Sequence, residues 1–331
     1  MTKADYLKAL IRTHSEGDDE RFYAVALQVA AQEAQHGHTK FAQELRELVD
    51  QARARRKTFP AAQHTRPVAL IQPRGELAGL LTATYPKTRL VDMAVDEAVH
   101  RRIERVLLEQ RNRTALREYG FAPLRKLLLI GPPGTGKTMT AAVLAGELGL
   151  PLLTIQLDGL ITKYLGETAA KLRLIFDAIR ETRAVYLFDE FDALGGERAA
   201  RNEVGEIRRV LNSFLQFLEL DESESLIVAA TNHPQLLDRA LFRRFDSVIE
   251  YPLPSQGVAE KVMRARLAPL DTTGVDWPKV AQASKGLSHA DITRACEHAA
   301  KNAILEHRRY VDTADVLDAL DERRKAHTSG R

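Results

Sequence analysis

Apolar positions recur at helical spacing through the first 58 residues. Leu7, Leu10 and Ile11 form one stripe, Phe22, Val25, Ala26, Val29 and Ala30 a second, and Phe41, Leu45, Leu48 and Val49 a third. Gly17 parts the first two stripes, with Asp18 placed as an N-cap and Glu20 adding negative charge to the first turn. Gly37 fits a C-terminal stop, and Thr39 fits a restart. The pattern predicts a small N-terminal helical bundle over 1–58. Residues 59–80, with Pro60, Pro67 and Pro73, read as a linker. The arginines just before it, Arg53, Arg55 and Arg56, read as a solvated charge run.

The pattern changes over 81–254. A helical stretch at 91–110 precedes the apolar run Lys126–Ile130. Further strand-length runs follow at Leu152–Gln156, Ala184–Phe188, Leu226–Ala230 and Ser247–Tyr251, separated by helix-like segments. Such alternation predicts a three-layer α/β domain around a largely parallel sheet. Over 255–331 the strands stop. Helices are expected near Ser255–Leu267, Pro278–Ser284, Ser288–Glu306 and Thr313–Arg323, as a separate C-terminal helical domain. Ser288 and Asp291 have the spacing of a capping box.

Composition narrows the function classes. The 331 residues are 44% hydrophobic and 28% charged, enough to bury cores. Lys and Arg number 48 against 45 Asp and Glu, a net charge of +3. That mild balance does not predict a nucleic-acid or membrane-surface partner, and no aromatic stacking platform accompanies the basic run. The single cysteine, Cys296, excludes an internal disulfide framework and a cysteine-rich zinc site. No apolar run approaches the roughly 20 residues that span a bilayer. The N-terminus lacks the apolar core of a secretory signal, so the expectation is a cytoplasmic protein.

Two segments carry chemistry. Gly131-Pro132-Pro133-Gly134-Thr135-Gly136-Lys137-Thr138 matches G-x-x-x-x-G-K-[ST] between a predicted strand and a predicted helix. Its backbone amides are expected to surround phosphate oxygens, Lys137 to reach the β- and γ-phosphates, and Thr138 to hold Mg²⁺. Met139, next on the helix, completes the nucleotide-facing set. The second segment is Val185-Tyr186-Leu187-Phe188-Asp189-Glu190, a buried strand ending in two carboxylates. Strand alternation would send them in different directions. Asp189 is expected to hold Mg²⁺, directly or through its water shell, and Glu190 to polarise the attacking water.

GPPGTGKT, LFDEFDAL, AATN, LFRRFD and GLSHADITRACEHAA occur in an order that closely resembles the AAA family of ATPases, over roughly Leu80 to Arg323. The resemblance implies a P-loop NTPase sheet with a C-terminal helical lid, ATP hydrolysis with Mg²⁺, and assembly, most simply as a homohexameric ring. It places Asn232 as the residue that senses the γ-phosphate, and Arg243 and Arg244 as arginine fingers serving a neighbouring copy. It also places Lys163, Tyr164 and Leu165 in a substrate-gripping pore loop, followed by a second loop at Gly195–Asn202 that fits an ordinary mobile loop equally well. His289 stands where many members carry glycine. It either contacts adenine or is an exposed helix-N-terminal residue. Arg294 receives no catalytic role. The implied function is ATP-driven remodelling or unfolding of a protein substrate through an axial pore, with the N-terminal bundle choosing the partner. The alternative is a regulatory switch acting on a separate effector without threading. The compact plan is similar to that of bacterial AAA ATPases paired with subtilisin-like serine proteases in toxin–antitoxin or phage-defence systems. A DNA-directed motor is a third class, which the mild charge disfavours.

Overall fold

The computed structural model describes residues 73–160, 165–194, 204–237 and 239–329, together with a few helical positions near the N-terminus. The chain divides into two compact units, Met1–Pro67 and Val68–Arg331. In the first, Val25, Ala26, Val29, Ala30, Gln43 and Val49 are helical, and Ala26, Ala30 and Val49 are buried, as their place in the apolar stripes predicts. The proposed caps and stops at Gly17, Asp18, Glu20, Gly37 and Thr39 lie outside the described residues.

Elements of the second unit are numbered from Pro73. The sheet contains β1 (Leu81–Thr84), β2 (Lys126–Ile130), β3 (Leu152–Ile155), β4 (Val185–Phe188), β5 (Leu226–Thr231) and β6 (Ser247–Glu250) in the order β1-β3-β4-β5-β2-β6. Every pairing is parallel except that of β1, which runs antiparallel to β3 at the edge. The five parallel strands are those expected from the apolar runs. β1 is additional. The helices are α1 (Glu97–Arg111), α2 (Arg113–Glu118), α3 (Lys137–Leu148), α4 (Leu157–Leu160), α5 (Leu165–Glu181), α6 (Val204–Leu220) and α7 (Arg239–Phe242), followed by the C-terminal set α8 (Gln256–Leu267), α9 (Trp277–Ala283), α10 (His289–Leu305) and α11 (Thr313–Ser329). The expected helix at 91–110 begins only at Glu97. A short 3-10 turn at Leu90–Asp92 precedes it.

Alternation along the strands builds the three layers. Leu127, Leu129, Val185, Leu187, Val228 and Ala230 face one side, against Val99, Ile103 and Val106 of α1 and Val143 and Leu144 of α3. Leu128, Tyr186, Phe188, Ile227 and Ala229 face the other, against Leu172, Ile175 and Phe176 of α5 and Phe214 and Leu218 of α6. Central strands buried on both faces read as continuous apolar runs, which is why the sequence displays them so clearly. The C-terminal helices close around their own core of Met263, Val280, Ile292, Cys296, Val316 and Leu320. Burial pushes the Cys296 thiol up to about 12, leaving it an inert apolar filler. Among the described residues, no helix is long and apolar enough to cross a membrane.

Candidate active site

The loop between β2 and α3 carries the first group of site residues. Gly134 and Gly136 have φ of +73° and +100°, a region that L side chains rarely adopt. At Gly134 space is also short, since a Cβ would lie 2.6 Å from Ser288 Oγ and 2.9 Å from Ala290 Cβ. Thr135 is buried, and its hydroxyl donates to the Pro132 carbonyl at 2.8 Å, closing the loop on itself. Pro132, Pro133, Thr138 and Met139 are exposed. Lys137 is 6% exposed, and its ammonium donates to the carbonyls of Gly131 and Pro132, each at 2.8 Å. Burial holds its pKa below the ordinary lysine value, and the carboxylates of Asp189 and Asp192 oppose that shift.

The acidic pair arrives from β4. Phe188 before it and Phe191 after it both pack on Phe214, at ring separations of 5.0 Å and 4.8 Å, so the turn between them is pinned to the core. Thr138 Oγ1 donates to Asp189 Oδ2 at 2.6 Å, joining residues 51 apart in sequence. The amide of Glu190 donates to Asp189 Oδ1 at 2.9 Å. Strand alternation is not what separates the two carboxylates. β4 ends at Phe188, and Glu190 takes a left-handed φ of +50° in the following turn. A non-glycine residue in that region is strained by about 1–2 kcal/mol.

Asn232 follows the last residue of β5. Its amide donates to Asp192 Oδ1 at 3.3 Å, and the hydroxyl of the preceding Thr231 donates to the same oxygen at 2.7 Å. Asp192 therefore fixes the backbone next to Asn232 from the 3-10 turn at Phe191–Leu194. The sequence reading missed Asp192. The signal was present, as an acid two residues beyond Glu190 in FDEFDAL.

The lid closes one side. Ser288 and Asp291 form the expected capping box at the start of α10. The amide of Ala290 donates to the carbonyl of Gly134 at 3.0 Å, and Ser255 Oγ donates to Asp96 Oδ1 at 2.8 Å. His289 is not an exposed helix-terminal residue. Both ring nitrogens are shielded from solvent. Burial lowers the imidazole pKa, partly offset by Asp96 and the Ala94 backbone beside it.

Arg243 and Arg244 lie apart from these groups, just before β6 and so at the N-terminal ends of the strands, whereas the phosphate loop sits at the C-terminal end of β2. Arg243 is exposed. Arg244 Nε donates to Glu219 Oε2 at 3.1 Å. Lys163 and Tyr164 lie outside the described residues, as does Gly195–Asn202. Leu165 is not a loop residue, because it is the first residue of α5.

A phosphate loop on a parallel three-layer sheet, with Thr138 hydrogen-bonded to Asp189, defines the class of P-loop nucleoside triphosphatases. The family model "ATPase family associated with various cellular activities (AAA)" matches residues 127–253. The chain is 34% identical over 327 residues to an uncharacterised AAA family ATPase, y4kL, of Sinorhizobium fredii, a match spanning 98% of this chain and 97% of that protein. It belongs to the AAA family of ATPases. It is also 36% identical over 213 residues to the proteasome-activating nucleotidase of Pyrococcus horikoshii, and 35% identical over 259 residues to the ATP-dependent zinc metalloprotease FtsH of Acidothermus cellulolyticus. Those matches span 62% and 74% of this chain but only 53% and 38% of the relatives. The crystal structure of the FIGL-1 AAA domain shares the fold with a TM-score of 0.59 at 23% identity, covering 76% of this chain and 90% of that one.

Proposed function

We propose that this chain is a Mg²⁺-dependent ATP hydrolase that works as a homohexameric ring in the cytoplasm, and that its turnover remodels or unfolds a protein substrate through an axial pore. The hydrogen bond between Thr138 and Asp189, beside the buried ammonium of Lys137, carries the reading. ATP seats its phosphates on the backbone of Gly131, Pro132, Pro133, Gly134, Thr135 and Gly136, with Lys137 turning from its two carbonyls to the phosphate oxygens. Met139 and His289 flank the rest of the nucleotide. Thr138 and Asp189 are the residues that hold Mg²⁺, and the ion, when bound, neutralises phosphate charge.

Glu190 accepts a proton from the attacking water, and Asn232 orients that water against the γ-phosphate. Arg243 and Arg244 cannot serve the phosphate loop of their own copy from the opposite end of the sheet. They serve the next copy, which requires a head-to-tail interface that closes into a ring. Lys163 and Tyr164 line the pore, where an aromatic grips an extended chain by shape and dispersion, and Leu165 opens α5 directly after them. The N-terminal unit selects the partner.

Glu190→Gln tests the chemistry. It is expected to bind ATP, to lose at least about 100-fold in turnover as expected for a removed general base, and to accumulate assemblies. Wild-type turnover in that variant removes Glu190 from the role. Tyr164→Ala tests the work done. Basal ATP turnover should persist while unfolding of a protein client is lost. A biological output that survives this change assigns the chain to switching a separate effector instead of threading.

A further inference from the structure

Among the described residues, Arg244 is held through Nε only. Its Nε donates to Glu219 Oε2, and no described residue takes a hydrogen bond from Nη1 or Nη2. A guanidinium carries five N–H groups, so one bond at Nε leaves the four of Nη1 and Nη2, two of which form the end-on fork that matches a phosphate. Arg243, its neighbour, pairs with no described residue. Among the described residues the two arginines of the motif thus differ, since Arg244 alone has a partner that orients it.

Both sides of the Arg244–Glu219 contact are anchored by the same short segment. Phe245 is buried, and Asp246 Oδ2 accepts from the amides of Arg125 and Lys126, each at 2.8 Å. The Asp246 amide returns a bond to the Lys126 carbonyl at 2.8 Å. On the other side, Glu219 stands one residue before the end of α6. Two residues on, the Asp221 side chain is fully buried and takes the guanidinium of Arg125, which also reaches the Asp221 carbonyl. Arg125 therefore clamps 244–246 through its backbone and 219–221 through its side chain.

We propose that Glu219 is a positioning residue for the arginine finger, fixing Arg244 through Nε so that its Nη edge meets the γ-phosphate held by the adjoining copy. The inference rests on the reading of Arg244 as that finger. Glu219 and Arg244 are partly exposed, at 62% and 32%, so their pairing contributes little to folding. What it supplies is orientation, because a guanidinium already aimed loses less freedom when the phosphoryl group transfers. The contribution should appear in kcat, since ATP binding depends on the phosphate loop of another copy.

Steady-state ATP turnover of the full chain with Mg²⁺, with assembly followed by sedimentation, tests this in four variants. Glu219→Ala should assemble normally and lose about tenfold in kcat, with KM for ATP within about twofold. Glu219→Gln keeps an oxygen to accept from Nε and should recover most of that loss. Arg244→Ala should lose far more, and adding Glu219→Ala to it should cost nothing further, because the two act as one unit. Wild-type kcat in Glu219→Ala, a Gln variant no better than Ala, or an equal further loss in the Arg244→Ala background each overturns the assignment. If Arg244→Ala itself turns over normally, the finger reading fails and the positioning role fails with it. A crippled Arg244→Ala beside an intact Glu219→Ala sinks only the role of Glu219.

Discussion

The carbonyl of Gly134 accepts a hydrogen bond from the amide of Ala290 at 3.0 Å, which ties the phosphate loop to the first turn of the lid helix α10. Ser288 and Ala290 fill the space where a side chain at 134 would stand. Gly134→Ala should therefore harm the loop and the lid together. The left-handed backbone alone costs about 1–2 kcal/mol, or roughly tenfold in any equilibrium that requires the native loop. Thermal unfolding should show a lowered midpoint, and calorimetric titration should show weakened nucleotide binding. A variant with wild-type values for both would mean that the loop and lid separate easily.

Glu190 sits at φ +50°. Glu190→Gly relieves that backbone and is expected to raise unfolding stability by about 1 kcal/mol while abolishing turnover. Chemical denaturation and an ATPase assay on one preparation check both signs. A destabilised variant would show that the glutamate side chain contributes more to the fold than its backbone strain takes away.

Asp192 takes hydrogen bonds from Thr231 and from the amide of Asn232 through one oxygen. Removing them with Asp192→Ala should loosen Asn232, and it also withdraws one of the two carboxylates that support the charge on Lys137. The expected result is a fall of about tenfold in kcat and a KM for ATP near wild type, the pattern of an interaction made mainly in the transition state. A rise in KM alone would place Asp192 in nucleotide binding.

His289 gives the protein an acid-sensitive seam. In the unfolded chain its imidazole takes a proton near pH 6.5, whereas burial lowers that value in the folded chain. Between those two values the unfolded chain binds more protons, so acid favours unfolding. This contribution to stability is intact above about pH 6.5 and is lost as pH falls from there toward the folded value. His289→Gln should flatten the corresponding part of the curve of melting temperature against pH. An unchanged acid slope would assign the loss to carboxylates instead.

The central strands β2, β4 and β5 were legible because each is buried on both faces, so its residues are nearly all apolar, while β3 and the edge strand β6 were legible from their apolar residues in strand-length runs. β1 was not. Leu81–Thr84 is a four-residue edge strand with one buried residue and alternating threonines, which is also what a polar linker looks like. The start of α10 was legible because Ser288 and Asp291 cap it locally. The turn at Glu190 was misread as strand because a motif gives residue order but not backbone sign. Asp192 was within sight of the motif, yet its partners come from β5. Glu219 left no trace, since it meets Arg244 across 25 residues and its role depends on which guanidinium edge it occupies. The shielded ring of His289 likewise depends on how the lid packs.

β2 begins where Asp246 grips the amides of Arg125 and Lys126 and ends at the phosphate loop. Its five residues span about 17 Å at the usual rise of an extended chain. The arginine edge and the nucleotide pocket of a single copy are therefore opposite tips of one stiff rod, packed on both faces. In the proposed ring, a tug delivered at Asp246 by an adjoining protomer would arrive at Gly131 with little slack to absorb it, so occupancy at one pocket would be felt at the next around the circle.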